Sequence, residues 1–303
     1  MIYDLIIIGG GPAAMSAGIY AARKKINTLI ITKNIGGQAI EAYEVENYLG
    51  VSGLMGTDLV KKFSEHLKKF VTDIKEGEIV ETIEKAEQNF TVKTNKNAYQ
   101  SKSIIIASGK SPRELDVPGA KEFAGKGIVY CATCDAPLFK NKTVAIVGAG
   151  DAGVDTAWQL TQYADKIYLI NKYADLRGDD LTLQEKVKNH SLIEIINQAE
   201  IKIIKGTRFV ESLIYKQNST EKEINVDGIF IEIGSMPNSQ FAKGTLDLSE
   251  KEEIIVNPKN NSTSIPGIFA AGDVTDIKEK QIIIAAGEGA KAALNVYNYL
   301  KQQ

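Results

Sequence analysis

The stretch Leu5-Ile6-Ile7-Ile8-Gly9-Gly10-Gly11-Pro12-Ala13-Ala14 decides the fold. Four apolar residues without polar alternation read as a strand buried on both faces. Glycines end it, a helical pattern runs to about Lys24, and a second apolar run covers residues 28–31. The plan recurs at Val144-Ala145-Ile146-Val147-Gly148-Ala149-Gly150-Asp151-Ala152-Gly153. There the helical pattern runs to about Tyr163 and the second strand covers residues 167–170. Each copy predicts strand, glycine turn, helix, strand: a βαβ unit that opens a parallel sheet. The fold class expected is α/β, with two doubly wound nucleotide-binding domains.

Such a turn needs glycine for three reasons. The first glycine makes the tight turn, the second admits a pyrophosphate to the backbone, and the third lets helix pack on strand. The helix N-terminus then faces the phosphates. Gly9 and Gly11 fit the first copy, with Ala14 in the third place; Gly148, Gly150 and Gly153 fit the second. One such match can be a turn without a ligand, but two in strand–turn–helix context favour nucleotide binding. The acid that usually follows about twenty residues on, for a ribose hydroxyl, is missing from the first copy, whose second strand ends Ile31-Thr32-Lys33.

The 303 residues suggest two domains of ordinary size, and 44% apolar residues are enough for two cores. A net charge of −2 with no basic run disfavours nucleic-acid binding. No apolar run reaches the length of a membrane span, and Met1 leads into Leu5–Ile8 with no signal-peptide pattern. A cytoplasmic protein with no membrane partner is therefore expected.

The two cysteines lie three apart in Cys131-Ala132-Thr133-Cys134. A lone pair in a cytosolic chain is seldom a structural staple. Two sulfurs are too few for a tetrahedral zinc site, and His66 and His190 are distant in sequence, so no metal is expected. A Cys-x-x-Cys pair can close and reopen a small disulfide ring, and Asp135 beside it can relay protons. Two buried, inert cysteines remain the plainer alternative.

Together these residues resemble the low-molecular-weight thioredoxin reductases and the flavoprotein subunit of alkyl hydroperoxide reductase. The matching stretches are residues 9–14, Gly36-Gly37-Gln38, Glu44-Val45-Glu46-Asn47, the Cys-Ala-Thr-Cys-Asp run at 131–135, residues 148–153, Gly272-Asp273 and Lys280-Gln281-Ile282. The stretch Gly287-Glu288-Gly289-Ala290-Lys291-Ala292 is nearer to the peroxide-reductase protein. The resemblance implies that residues 1–112 and 241–303 bind FAD and that 113–240 form an inserted domain carrying the nicotinamide site and the redox disulfide. It maps Gly9, Gly11, Gly36, Gln38, Asn47, Gly272, Asp273 and Gln281 onto FAD contacts, with Asp273 on the ribityl chain. Pro12, Ala13, Gly37, Gly109, Lys280 and Ile282 complete that cofactor set. Gly148, Gly150, Asp151 and Gly153 are the matching residues of the second fold, and Asn171, Lys172 and Arg177 are its further cofactor candidates, in the loop after its second strand.

By the same resemblance Cys131, Cys134 and Asp135 are catalytic, with Cys134 nearer the flavin and Cys131 attacking the partner. The chain opens at the flavin strand, so the disulfide-shuttling extension of the peroxide-reductase proteins is expected to be absent. The acceptor is then a separate thioredoxin- or glutaredoxin-like protein, and the enzyme a homodimer. The inserted domain is expected to rotate about hinges near Pro112–Leu115 and Gly234–Pro237.

One loop departs from the family. NADPH-dependent members carry His-Arg-Arg and a further Arg after the second βαβ strand; here the run is Asn171-Lys172-Tyr173-Ala174-Asp175-Leu176-Arg177. Arginine forks suit a 2′-phosphate, whereas lysine offers a point charge. Asn171 stands where an acid would favour NADH, so either NADH or NADPH is expected to serve, with a slight preference for NADH. A similar reductase drawing on ferredoxin or another donor, or a non-enzymatic flavin–dithiol sensor, would carry many of the same residues.

Overall fold

The computed structural model describes residues 2–42, 45–71, 73–86 and 89–303. Met1 and Glu44, which figure in the sequence reading, lie outside the described residues. The chain forms two compact units: residues up to Ser111 together with Met236–Gln303, and Pro112–Ser235.

In the first unit, β1 (Ile2–Tyr3) precedes β2 (Leu5–Ile8), α1 (Pro12–Arg23) and β3 (Thr28–Thr32). Helix α2 (Gly56–Lys68) leads to β4 (Ile74–Glu76). Strands β5 (Val80–Lys85), β6 (Phe90–Thr94) and β7 (Ala98–Ser101) form a sheet with β1, and β8 (Ile104–Ile106) returns the chain to the sheet of β2. Strand β9 (Lys110–Pro112) then carries the chain out of the unit.

The second unit starts with β10 (Ile128–Val129) and the single turn α3 (Ala132–Asp135). Next come β11 (Thr143–Val147), α4 (Asp151–Leu160), β12 (Lys166–Ile170), α5 (Leu181–Lys188) and β13 (Ile193–Ile196). An antiparallel sheet of β14 (Ala199–Gly206), β15 (Val210–Gln217) and β16 (Thr220–Asn225) follows, then β17 (Gly228–Ile231). The chain re-enters the first unit through β18 (Ser235–Pro237), and ends with β19 (Ile268–Ala270) and α6 (Ile282–Leu300). Strands β9 and β18, which carry the two crossings, pair with each other.

Each unit holds a five-stranded parallel sheet, ordered β19-β8-β2-β3-β4 in the first and β10-β17-β11-β12-β13 in the second. The chain order therefore reverses beside β2 and beside β11, where open α/β sheets bind ligands. The continuous apolar runs follow from burial on both faces. Leu5 and Ile7 enter a core under α1 and α6, while Ile6 and Ile8 enter a second core beneath the β5–β7 sheet. Val144 and Ile146 likewise pack opposite Ala145 and Val147. Helices α1 and α6 approach closely at Gly289, where a Cβ would lie 2.0 Å from the Ala13 carbonyl oxygen.

One expected boundary shifts: helix α4 ends at Leu160, short of Tyr163, and residues 161–163 form turns.

Candidate functional site

The glycine turns of the two units share one geometry. Gly9 has φ +125° and Gly148 φ +110°, values that side chains resist. A Cβ at Gly9 would lie 2.1 Å from the Ala107 oxygen, and one at Gly148 2.3 Å from the Glu232 oxygen. Each turn is thus pressed against the strand beyond it. The N-cap positions of α1 and α4 are Gly11 and Gly150, and neither helix end has a side-chain cap. Their first N–H groups are left for solvent or an anion.

In the first unit Gly36, Gly37 and Gly272 meet this turn, while the other expected residues bond to one another or to neighbouring segments. The Gly36 N–H donates to the Gly10 oxygen at 2.8 Å, and Gln38 donates to the Lys110 carbonyl. Gly36 and Gly37 both have positive φ, which folds residues 36–38 back against the turn. Gly109 also has positive φ with open space where a Cβ would stand, and its oxygen accepts the Asn238 N–H at 2.9 Å. Asn47 donates to the side chain of Gln281, the N-cap of α6, at 3.0 Å; Ile282 is that helix's first residue. Lys280 donates to the Thr275 carbonyl and pairs with Glu253 at 3.4 Å.

The Gly272-Asp273 turn sits below these. Gly272 is buried at φ +76°, and its oxygen accepts the Thr275 hydroxyl at 2.8 Å. Burial pushes the Asp273 carboxyl up, against the pull of Lys110 and Lys280. Glu288, absent from the expected set, is buried on α6 and accepts the Gly272 N–H at 2.7 Å. Its signal in the sequence is a single acid in the otherwise apolar and small run at 282–290.

A dinucleotide fits this turn. A Cβ at Gly11 would meet only the Gly37 Cα, at 4.0 Å, so the backbone is open to an approaching pyrophosphate. The α1 N–H groups are uncapped, and Asp273 offers a half-buried acceptor.

In the second unit Asp151 opens α4, and its Oδ1 accepts the Asp179 N–H at 2.7 Å. Gly153 is required there, since a Cβ would lie 1.9 Å from the Gly148 oxygen. The Arg177 N–H donates to Ala149 at 2.8 Å, so the loop after β12 is tied to the glycine turn. Asn171 is buried: its amide donates to the Asp175 carbonyl and to Asn197, and its oxygen accepts the Tyr173 N–H. It shapes the loop from beneath, a different placement from the ribose-facing one its sequence position suggests. Lys172 is exposed, and the Arg177 guanidinium stacks 3.7 Å over the Tyr173 ring.

Cys131 and Cys134 are joined as a disulfide with Cα atoms 5.3 Å apart. Cys131 is the N-cap of α3, and its Sγ accepts the Cys134 N–H at 3.2 Å. Asp135 ends the turn, buried. Desolvation raises its carboxyl to about 7, and its Oδ1 has no hydrogen-bond partner. A proton-holding carboxyl next to a half-buried disulfide can accompany opening and closing of the S–S bond. Among the described residues no cluster of His, Cys, Asp or Glu could hold a metal, and no helix is long and apolar enough to cross a membrane.

Two nucleotide folds, one of them carrying a redox dithiol with its own acid, define a disulfide oxidoreductase. The family described as pyridine nucleotide-disulphide oxidoreductase matches residues 3–289. The chain belongs to that family. The F subunit of alkyl hydroperoxide reductase from Staphylococcus aureus is 39% identical over 301 residues, covering 98% of this chain and 59% of the relative. The chain thus spans about six tenths of the curated relatives it matches. Thioredoxin reductase from Streptococcus pyogenes is 34% identical with a TM-score of 0.93, covering 100% of this chain and 99% of that one. The enzyme from Giardia duodenalis is 31% identical with a TM-score of 0.91, covering 99% of each. These similarities make the chain a thioredoxin-reductase-like disulfide oxidoreductase.

Proposed function

We propose that the chain transfers electrons from NADH or NADPH through FAD to the Cys131–Cys134 disulfide, and from there to a disulfide of a thioredoxin- or glutaredoxin-like protein. The observation that carries this reading is the Cys131–Cys134 ring with the Cys134 N–H on the Cys131 Sγ and a buried, partnerless carboxyl oxygen at Asp135. FAD would be held by residues up to about 112 and from about 241 onward. Gly9, Gly11, Pro12 and Ala13 would face its pyrophosphate, Gly36, Gly37, Gln38, Asn47 and Gly109 would serve as further contacts, and Gly272, Asp273, Lys280, Gln281 and Ile282 would hold the ribityl and flavin end. The nicotinamide would be held at residues 113–240 by Gly148, Gly150, Asp151 and Gly153, with Lys172 and Arg177 at the ribose and Asn171 supporting them.

Bound FAD supplies hydride acceptance and two-electron transfer. The chain supplies the rest. Two electrons break the S–S bond and leave Cys134 and Cys131 as thiol and thiolate. The Cys134 N–H stabilises negative charge on the Cys131 Sγ, which makes Cys131 the better nucleophile. Its thiolate attacks the partner disulfide, forming a mixed disulfide and expelling one partner thiolate. Cys134 then attacks the Cys131 Sγ, which releases the second partner thiol and re-forms the ring. Asp135 holds the proton exchanged with the departing sulfur. The resemblance extends this reading to a cytoplasmic homodimer and to rotation about residues 112–115 and 234–237.

The test is anaerobic titration of the purified protein with NADH and then NADPH, followed by addition of an oxidised thioredoxin-like protein. The flavin absorbance should bleach and then recover. A protein that takes up no FAD, or whose bound flavin neither nicotinamide reduces, would overturn the proposal, and reduction by ferredoxin alone would replace its donor.

A further inference from the structure

The first nucleotide fold lacks the acid that usually closes its second strand, and the strand paired beside it ends in one. Strand β3 ends at Thr32, whose hydroxyl donates to the Asn34 oxygen at 2.7 Å. A Cβ at Gly10 would lie 2.5 Å from the Thr32 Oγ1, so Thr32 stands where a strand-end acid would face the glycine turn. Strand β4 runs parallel to β3, and its last residue, Glu76, is the register partner of Thr32. Laterally paired residues of a pleated sheet project from the same face. The Glu76 side chain therefore leaves the sheet on the side of Thr32, one strand further from the turn.

Glu76 is exposed at the end of β4, and its segment is anchored. Its Oε1 accepts the Ile35 N–H at 3.3 Å, while the N–H groups of Gly77 and Glu78 donate to the Lys33 and Thr32 oxygens, each at 3.2 Å. Three consecutive residues thus hold the segment from Thr32 to Ile35, which runs into Gly36 and the Gly10 turn. Glu76 also borders an open cleft of about 380 Å³ lined by Ile35, Lys68, Val71 and Ile74. The apolar side chains of Ile35, Val71 and Ile74 suit the face of a base, and the Glu76 carboxylate suits a ribose hydroxyl that donates, with Lys68 as the one cation of the lining.

We propose that Glu76 accepts the 2′-hydroxyl of the adenosine ribose of FAD, supplied from β4 in place of an acid at the end of β3. This rests on the flavin reading of the first unit. It assigns the specificity of that unit for an adenosine diol to a residue about two strands from the glycine turn.

The experiment compares dissociation constants of the apoprotein for FAD and for the FAD analogue whose adenosine lacks the 2′-hydroxyl, in wild type, Glu76→Ala and Glu76→Gln. A hydrogen bond to a charged acceptor predicts that wild type binds the deoxy analogue roughly ten- to a hundredfold more weakly than FAD. In Glu76→Ala FAD should weaken by a similar factor and the two ligands should bind alike. Glu76→Gln should fall between. The ratio within one variant is insensitive to any loss of the Ile35 anchor, because both ligands bind the same protein. Equal binding of the two ligands by wild type, or a preference for FAD undiminished in Glu76→Ala, overturns the assignment while leaving FAD binding intact. Failure of wild type to bind FAD at all overturns the flavin reading, and this one with it.

Discussion

The Glu288 Oε2 accepts the Gly272 N–H at 2.7 Å, so a buried carboxyl on α6 fixes the backbone immediately before Asp273. Burial raises the Glu288 carboxyl, against the Gly272 bond and the nearby Lys291 and Lys280 charges. Glu288→Leu would leave a buried N–H without a partner, at a cost of about 1–3 kcal/mol. Glu288→Gln keeps an acceptor. We expect the Gln variant to retain flavin through gel filtration and the Leu variant to lose much of it. Equal retention by both would show that the bond does not position Asp273.

Asp135 gives a pH signature with a definite sign. Burial lifts its carboxyl from 3.8 to about 7, so between those values the folded protein holds a proton that the unfolded chain has released. Its contribution to stability is full below about pH 4, declines as pH rises, and is lost above about pH 7. Urea midpoints measured from pH 4 to 8 should show this decline, and Asp135→Asn should flatten it. Dithiol transfer to the partner should lose its break near pH 7 in the same variant.

The two turns can be disabled separately. Alanine at Gly9 would clash with the Ala107 carbonyl, and at Gly148 with the Glu232 carbonyl, both at positive φ. We expect Gly9→Ala to purify colourless. Gly148→Ala should stay yellow but resist bleaching by either nicotinamide. Loss of colour in Gly148→Ala with a normal nicotinamide response in Gly9→Ala would reverse the assignment of the two sites.

We expect the loop after β12 to set the nicotinamide preference. The Arg177 guanidinium stacks on Tyr173 at 3.7 Å, which leaves its in-plane donors to meet either a hydroxyl or a phosphate. Wild type should favour NADH only slightly. Lys172→Arg combined with Tyr173→Arg should shift the ratio of kcat/KM values toward NADPH. A wild-type preference for NADPH above about a hundredfold, or roughly 2.7 kcal/mol, would contradict this reading of the loop.

Much of the first half of each nucleotide fold was legible as sequence. The runs Leu5–Ile8 and Val144-Ala145-Ile146-Val147, the glycines after them and the helices they open are set by neighbours within about ten residues, and the structure has them. The antiparallel sheet of β14–β16 carries a weak local signal at its outer strand β16, which is largely exposed and hardly alternates. The Cys131–Cys134 ring needs only a three-residue spacing, so its closure was local too.

By itself, then, the sequence determined two strand–turn–helix units and one ring-forming cysteine pair, because short-range periodicity and backbone sterics specify them. Only the tertiary structure decided what surrounds them. Pairing of β19 with β8 brings the C-terminal segment into the first sheet, and with it Gln281 to Asn47 and Glu288 to Gly272. The register of β3 against β4 sets Glu76 beside Thr32, 44 positions apart in the chain, and burial among α3's neighbours lifts Asp135 toward neutrality. Such relationships depend on strand order, register and desolvation. Those are properties of segments packed together, and no single segment carries them in its own pattern.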